Sequence, residues 1–264
     1  YVKGVNVDML DQNIDIYSNI VIGADGLDSR VGRWAGLKTT VKMKDMESCV
    51  QYSVSNIDID QERMVMYVGS NYAPGGYLWI FPKGDRSANI GIGISGKYSK
   101  EKSAKTYLDE FINNKFPNVS ILTSVCGGVP CSRPMKEPIC NGLMLAGDAA
   151  HQVNPMTGGG IISGMKAGMF AGKVAAASVQ DEDYSKEYLK KYPKIMFKDF
   201  GKNYDRFYNI KLAVNQLDDN DLDSIAQSVL SVPIEKRNLV TVFKKAVFKK
   251  PSLLLDVLKV FSGF

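Results

Sequence analysis

The sequence is poor in the residues that build most metal centres and disulfide frameworks. It contains one histidine and four cysteines (Cys49, Cys126, Cys131 and Cys140), which are widely spaced and form no CxxC pair. This spacing argues against a zinc site and against a disulfide scaffold, and it is typical of a reducing, cytoplasmic compartment. We therefore predict no metal ligands and interpret Cys131 and Cys140 as buried structural residues.

Long apolar runs and strong charge are also lacking. No stretch of about 18 apolar residues occurs, so the sequence predicts no membrane-spanning helix. The formal net charge is only +5, which does not indicate nucleic acid as a partner. The chain starts at Tyr1 without a signal peptide. Its first strand, 1–7, is predicted to form a hairpin with 14–17 through a turn at Asp11–Asn13. These features predict a cytoplasmic location and a fragment whose N-terminal part is missing.

The stretch 141–172 carries the most informative local pattern. Leu143–Ala146 predicts a buried strand, Gly147 and Asp148 follow its end, and Gly158–Gly160 precedes a predicted helix. Glycines let a backbone approach a flat or anionic ligand, and a helix N-terminus presents free N–H groups. A carboxylate at a strand end repels phosphate but suits the hydroxyls of a ribose or ribitol. An ordinary strand–turn–helix in which Asp148 caps the helix is the alternative.

A second strand-end motif lies near the start of the chain. Asn19–Ala24 predicts a buried strand that ends in Asp25, followed by Arg30 and Arg33. A carboxylate beside a pyrophosphate needs a basic neighbour or backbone amides, and either arginine can supply the charge. The alternative is a tight turn in which Asp25 or Asp28 caps the following helix.

Between these motifs the pattern changes to an antiparallel sheet. The predicted strands are 47–56, 63–69, 76–81, 87–95 and, after an amphipathic helix at 99–115, the return strand 119–131. Alternation places Tyr77, Trp79 and Phe81 on one face, where they form either a ligand wall or a packing surface. Gly91–Gly96 fits GxGxxG, but its glycines alternate inside a strand, so we reject a dinucleotide site there.

The segments after the Gly-Asp motif are predicted to be helical. The helix at 157–179 carries Gly164, Gly168 and Gly172, which we interpret as close packing of this helix on the sheet. His151 is interpreted as a packing or capping residue rather than a base. Beyond residue 233, basic and apolar residues are interleaved. This composition predicts either a helix on an anionic membrane surface or a helical subdomain with a solvated basic face.

Three stretches resemble known flavoproteins, and the first is Asp25-Gly26 followed by Ser29 and a basic residue, Arg30 or Arg33. The Gly-Asp stretch resembles the second FAD-contacting motif of the flavoproteins that include the aromatic hydroxylases and the geranylgeranyl reductases. The matching positions are Gly147, Asp148, Ala149, Ala150, Pro155, Gly158, Gly159, Gly160 and Ile161. The Tyr-x-Trp-x-Phe-Pro-Lys-Gly strand at 77–84 is similar to a strand that borders the lipid cavity of the geranylgeranyl reductases. The resemblance covers most of residues 1–180 and is weaker beyond.

The resemblance implies FAD as the cofactor and a set of binding residues. Asp148 is expected to bond the ribitol, and the backbone at Val2 is expected to reach the adenine. The implied cofactor-binding residues are Asp148, Gly147, Gly159, Gly160, Ile161, Asp25 and Val2. Tyr77, Trp79 and Phe81 are the implied substrate-binding residues. The catalytic residue is not identified, and Tyr77, Cys131 and a water are all open as proton donor.

The resemblance also implies a fold and an activity. The expected α/β (α+β) fold has a partial Rossmann-like FAD-binding domain at 1–40 and 136–180, an antiparallel substrate domain at 41–135 and a C-terminal helical region at 181–264. The GxGxxG strand–turn–helix of the family is absent, so the isolated chain is expected to bind FAD poorly.

The implied reaction is FAD-dependent saturation of isoprenoid (geranylgeranyl) double bonds in glycerophospholipid precursors, as in archaeal membrane lipid biosynthesis. The implied partners are an isoprenoid glycerolipid, an unnamed external electron donor and, through the basic tail, the inner face of the cell membrane. Two alternatives stay open: an FAD-dependent monooxygenase of aromatic or polyene substrates, and a non-catalytic module that binds membrane surfaces.

Overall fold

The structure is a computed structural model that describes residues 1–237 together with residues 245 and 248. The chain divides into two compact units. The first unit contains Tyr1–Lys42 and Val129–Tyr208, and the second contains Met43–Gly128 and the described residues from 209 to 237. The predicted mixed α/β class with antiparallel sheets is confirmed. The domain boundaries predicted from the sequence stay predictions.

The secondary structure follows the predicted order of elements. In chain order, the strands are β1 (Gly4–Met9), β2 (Gln12–Tyr17), β3 (Val21–Gly23), β4 (Met46–Ser55), β5 (Val65–Tyr67), β6 (Tyr77–Gly84), β7 (Ser87–Ser95), β8 (Ser120–Pro130), β9 (Ile139–Cys140) and β10 (Leu143–Leu145). The α-helices are α1 (Arg30–Trp34), α2 (Ala104–Lys115), α3 (Ile161–Gln180), α4 (Lys186–Leu189), α5 (Lys191–Met196), α6 (Lys202–Val214) and α7 (Asp219–Leu230). A π-helical turn, Phe197–Gly201, joins α5 to α6.

The first unit opens with the predicted hairpin of β1 and β2. Its turn is Leu10-Asp11, where both residues have positive φ angles of 51° and 62°, and Met9 pairs with Gln12. The turn predicted at Asp11–Asn13 is therefore shifted, because a two-residue turn with two positive φ angles matches the twist of the strands.

A small three-stranded sheet with the order β3-β10-β9 forms the centre of the first unit. Strands β3 and β10 are parallel, with Leu143 opposite Val21 and Leu145 opposite Gly23. Strand β10 is buried on both faces, which explains its unbroken apolar run. Because they are parallel neighbours, β3 and β10 end at the same edge of this sheet.

Helix α3 packs in the first unit, but not through the face predicted from its glycines. An added Cβ at Gly168 or Gly172 would meet nothing within 4 Å. The buried side chains are instead Ser163, Ala167, Ala171, Val174 and Ser178. The prediction that the glycines pack this helix on the sheet is wrong for Gly168 and Gly172. The small residues that allow close packing are instead the alanines that precede each of them, Ala167 and Ala171.

The second unit is built on an antiparallel sheet with the strand order β5-β6-β7-β4-β8. Alternate residues of the central strands, including Leu78 and Ile92, form a core with Leu108 and Phe111 of α2. The side chain of Ser103 caps α2 by accepting from the amide of Thr106. The GxGxxG sequence lies in β7, as predicted.

The C-terminal predictions are only partly covered by the structure. Helices α6 and α7 lie within the predicted helical region. Ile234–Lys236 forms a 3-10 turn, and most of the basic and apolar residues of the tail lie outside the described residues. Among the helices that the structure describes, none combines the length and apolarity needed to cross a bilayer.

Candidate functional site

The two strand-end motifs meet at one edge of the small sheet. Asp25 follows β3 and Asp148 follows β10, and these two strands are parallel neighbours. The loops are tied together by the buried hydroxyl of Ser29, which donates a hydrogen bond of 2.9 Å to the carbonyl of Ala149. Ligands of open α/β sheets bind outside the carboxyl ends of such strands. The fold thus brings two segments that are distant in sequence to the place where a ligand is expected.

Asp25 caps helix α1. Its carboxylate accepts a 2.9 Å hydrogen bond from the backbone amide of Val31, and a carboxylate at a helix start is favoured by the helix dipole. Arg30, one of the two predicted basic neighbours, forms an exposed ion pair with Asp28 at 3.5 Å instead. A backbone amide therefore contacts Asp25, as the capping alternative predicts.

Asp148 is half-buried against the start of α3. An added Cβ at Gly160 would lie 3.2 Å from its Oδ1 atom, so a side chain at this position would crowd the carboxylate. Gly160 is the N-cap of α3 and no side chain caps this helix, so the capping alternative for Asp148 is not observed. Burial raises the pKa of Asp148, and nearby His151 partly opposes this shift. Across the described residues, no hydrogen bond is formed by the Asp148 carboxylate, which leaves it able to accept from a ligand hydroxyl.

Buried hydrogen bonds that the sequence analysis missed hold the Asp148 loop. The amide of Gly147 donates to Oε1 of Gln152 at 2.8 Å, and Nε2 of Gln152 donates to the hydroxyl of Tyr192 at 2.9 Å. That hydroxyl donates to the carbonyl of Leu145 at 2.8 Å. The chain of bonds fixes the loop from behind. An isolated glutamine and a distant tyrosine carry no sequence signal for this pairing.

The glycine stretch before α3 offers an accessible backbone. Gly158 has a positive φ of 70°, a conformation that favours glycine, and its amide donates to the carbonyl of Asn154 at 2.9 Å. Gly159 is exposed, and the atom an added Cβ there would meet is the hydroxyl of Thr157. Ile161 opens α3 with 80% of its side chain exposed. Gly159 and Ile161 are therefore accessible to a ligand at the start of a long helix.

Val2 lies beside the strand that leads to Asp148. Its amide donates to the carbonyl of Asn141 at 2.9 Å, so the hairpin is fastened beside β10. Val2 also lines an open cleft of about 540 Å³ with Tyr1, Tyr17, Asn19 and Tyr184 among its walls. A contact from Val2 to an adenine stays a prediction.

His151 and the nearby cysteines have structural surroundings. His151 is 7% exposed, and its Nε2 atom lies 2.8 Å from the carbonyl oxygen of Thr39. Burial lowers the pKa of His151, which keeps the ring neutral near pH 7. Cys131 is buried and Cys140 is partly buried. The structure thus agrees with packing roles for all three residues.

The second unit presents the three predicted aromatic side chains on one face of β6. The ring centroids of Tyr77 and Trp79 are 5.7 Å apart, and those of Trp79 and Phe81 are 6.0 Å apart. Nε1 of Trp79 donates to Oε1 of Gln51 at 3.0 Å. An added Cβ at Gly91 would lie only 2.3 Å from the indole, so the glycines of β7 make room for this ring. We call this surface the aromatic wall.

A buried carboxyl group that the sequence analysis missed lies on the same face. Burial raises the pKa of Glu47 to about 8, with Lys211 opposing the shift and Asp45 adding to it. Lys211 and Asp45 form a buried ion pair at 3.7 Å. The available sequence signal was a glutamate at the start of a strand, which is ordinarily read as an exposed position.

The fold defines a class of proteins. Solved structures that share it include a flavin-dependent halogenase, at 14% identity and a TM-score of 0.59 over 98% of this chain and 45% of that chain. A flavin-dependent brominase matches at 15% identity and a TM-score of 0.55, over 94% of this chain and 58% of the other. The chain therefore has the fold of these flavin-dependent enzymes.

Within this class the chain belongs to the geranylgeranyl reductase family. Residues 45–129 match the family model of the geranylgeranyl reductase catalytic domain. The crystal structure of a geranylgeranyl bacteriochlorophyll reductase-like protein from Thermoplasma acidophilum matches with a TM-score of 0.89 and 33% identity, over 98% of this chain and 66% of that one.

Curated relatives agree with this placement. A digeranylgeranylglycerophospholipid reductase of Methanococcoides burtonii is 45% identical over 96% of this chain and 62% of that protein. Another, from Methanosarcina mazei, is 42% identical over 98% of this chain and 64% of that protein. The chain thus spans less than two thirds of the length of these relatives.

Proposed function

We propose that this chain is the catalytic and substrate-binding part of an FAD-dependent reductase. The reaction saturates isoprenoid double bonds of the geranylgeranyl type in glycerophospholipid precursors. The observation that carries the proposal is the 45% identity to a digeranylgeranylglycerophospholipid reductase across 96% of the chain, which spans both the Gly-Asp loop and the aromatic wall. No observation favours the monooxygenase or the non-catalytic module over this reading.

The residues of the first unit fit a flavin nucleotide. Asp148 has a half-buried carboxylate that accepts no hydrogen bond from the described residues, and a ribitol hydroxyl supplies the missing donor. Gly159 is exposed and Gly160 is half-buried at the start of α3, which is 20 residues long, and its positive end favours an anionic or electron-rich group. We therefore assign Asp148, Gly147, Gly159, Gly160, Ile161 and Asp25 to the cofactor, with the backbone of Val2 for the adenine.

The residues of the second unit fit an apolar chain. Tyr77, Trp79 and Phe81 are half-buried and form a row of rings along β6. An isoprenoid has no polar group along its length, so it is held by contact area rather than by hydrogen bonds. We assign the aromatic wall to the substrate.

The chemistry divides between cofactor and protein. When bound and reduced, the flavin supplies a hydride. An isolated trisubstituted alkene is not electrophilic, so the addition must be coupled to protonation of the other alkene carbon. The protein orients the double bond, keeps water away from it and delivers the proton. An external electron donor and peripheral contact with the cell membrane complete the proposal, the latter supported by the basic and apolar composition beyond residue 233.

The test uses the full-length protein. It is purified, its visible spectrum is recorded for bound flavin, and it is reduced and mixed anaerobically with a geranylgeranyl glycerolipid. We expect stepwise product mass increases of two hydrogens, each with reoxidation of one flavin. Reoxidation only by oxygen would indicate the monooxygenase, and a protein without flavin would indicate the binding module.

A further inference from the structure

The aromatic wall continues into a carboxyl group on the neighbouring strands. In the pairing of β4 with β7, Glu47 lies opposite Ser95 and Cys49 lies opposite Gly93. An added Cβ at Gly93 would lie 3.1 Å from Sγ of Cys49, 3.9 Å from Cβ of Glu47 and 4.0 Å from the indole of Trp79. The three side chains therefore meet over one glycine, on the face of the sheet that carries the wall.

The carboxyl group of Glu47 is held in a place where its charge is disfavoured. Its Oε2 atom is buried and, within the described part of the chain, accepts and donates no hydrogen bond. This atom lies near Gly76, the residue before β6, where an added Cβ would be 3.3 Å from it. A buried oxygen without a donor stabilises the neutral acid over the carboxylate.

Three titratable groups act on Glu47. Lys211 of α6 favours the carboxylate, whereas Asp45 of the turn before β4 favours the acid. Lys211 and Asp45 are paired at 3.7 Å and act on Glu47 in opposite directions, and burial is the largest of the three causes. Cys49 on the same strand has its own pKa raised to about 12 by burial and by Glu47. With a pKa of about 8, Glu47 is about nine-tenths protonated at pH 7.

We propose that Glu47 is the proton donor of the reduction, delivering its carboxyl proton to one carbon of an isoprenoid double bond that lies on the aromatic wall. The inference rests on the proposed function. The alkene π bond breaks, one carbon forms a C–H bond with this proton, and the other carbon receives the hydride from the reduced cofactor. Glu47 is left as a carboxylate and regains a proton from water.

Glu47 suits this role better than its neighbour Cys49. Burial raises the pKa of Glu47 to about 8 and that of Cys49 to about 12, so the carboxyl group is the stronger acid of the two. A general acid works best with a pKa close to the working pH, because it is then both protonated and able to release its proton. The thiol is protonated at pH 7 but releases its proton far less readily.

The first readout does not depend on turnover. Infrared spectra of the full-length, flavin-loaded protein are recorded as a function of pH for wild type, Glu47→Gln and the matched control Glu62→Gln, which alters an exposed loop glutamate. We expect a carboxylic acid band at pH 7 that disappears around pH 8 and is missing only in Glu47→Gln. If the band of wild type is also present in Glu47→Gln, or is absent at pH 7, Glu47 does not hold the proton.

The second readout is the rate of hydrogen addition. We expect Glu47→Gln to lower this rate by a factor of about 10² to 10⁴, with flavin content and KM unchanged. The decline of the wild-type rate at alkaline pH should be absent in this variant. Glu47→Asp should restore part of the rate. A wild-type rate in Glu47→Gln would overturn the proposal while leaving the proposed function intact. Flavin-loaded wild type that adds no hydrogen would instead refute the proposed function.

A second variant covers a loss of fold. If Glu47→Gln does not fold, Asp45→Asn is used instead. The negative charge of Asp45 raises the pKa of Glu47, so its removal must move the alkaline decline of the rate to lower pH. An unmoved decline would overturn the role of Glu47.

Discussion

The contact between Trp79 and the glycines of β7 allows a quantitative test of the aromatic wall. An added Cβ at Gly91 would lie 2.3 Å from Cζ2, 2.4 Å from Cε2 and 2.8 Å from Nε1 of the Trp79 indole. All three distances are shorter than real Cβ contacts, and the ring is rigid. In Gly91→Ala the indole must therefore move off the sheet, and its 3.0 Å hydrogen bond to Gln51 breaks.

The free energy of unfolding is expected to fall by about 2 kcal/mol. Overpacking of this kind costs about 1–3 kcal/mol, and the lost hydrogen bond adds about 1 kcal/mol. Replacing glycine by alanine returns about 0.4–1 kcal/mol, because the unfolded chain loses freedom. The same displacement tilts the wall that we assign to the substrate, so the KM for the isoprenoid lipid should rise as well.

The assay is denaturant unfolding of the full-length protein with a double-mutant cycle. Gly127→Ala is the matched control, because an added Cβ there meets nothing within 4 Å, and it should change stability little. In a Trp79→Ala background the cost of Gly91→Ala should disappear, since the clash has no partner. If Gly91→Ala costs the same with and without the indole, the ring does not lie on the glycine and the geometry of the wall is wrong.

Three further predictions concern the first unit. Asp148→Ala in the full-length protein should lose most bound flavin without unfolding, as seen in the visible and far-ultraviolet spectra; wild-type flavin content would refute the ribitol role. Tyr192→Phe removes the hydroxyl that bonds Gln152 and Leu145, and should lower the free energy of unfolding by about 1–3 kcal/mol; a neutral effect in urea denaturation would contradict the buried chain. Burial lowers the folded pKa of His151 below 6.5, so the unfolded state binds more protons below that pH and stability should fall as the pH drops through about 6.5 and below. His151→Gln should lack this slope, and an identical slope would exclude His151 as its source.

The sequence predicted those parts of the fold and site that depend on local pattern. The strand ends at Asp25 and Asp148 follow from short apolar runs, whereas the parallel pairing that brings them to one edge of the sheet was not predicted. The common face of Tyr77, Trp79 and Phe81 follows from the alternation of a strand. The contact of the Trp79 ring with Gly91 was not predicted. Alternation indicates on which face of the sheet a side chain lies, but not which residue of the neighbouring strand it contacts.

The missed features depend on contacts between distant segments. The glycines of α3 suggested a packing face, yet the helix buries Ala167 and Ala171, because a small-residue spacing fits more than one face of a helix. Glu47 was overlooked since a single charged residue in a strand usually lies in water. One of the charges that act on its pKa belongs to Lys211, which is distant in sequence. A local sequence pattern cannot indicate such a contact.

The two faces of the sheet in the second unit meet different physical demands. One face carries branched aliphatic residues such as Ile90 and Ile92, which interlock with α2 and stabilise the unit through buried area. The other carries glycines beneath Trp79, whose ring is fixed by Gln51. A ring that is held in this way is already ordered before a ligand binds. Binding of an apolar chain therefore costs less free energy for the ordering of protein side chains. Because an isoprenoid chain offers no hydrogen-bonding group that could orient its double bond, the position of the nearby carboxyl group of Glu47 decides which alkene carbon is protonated.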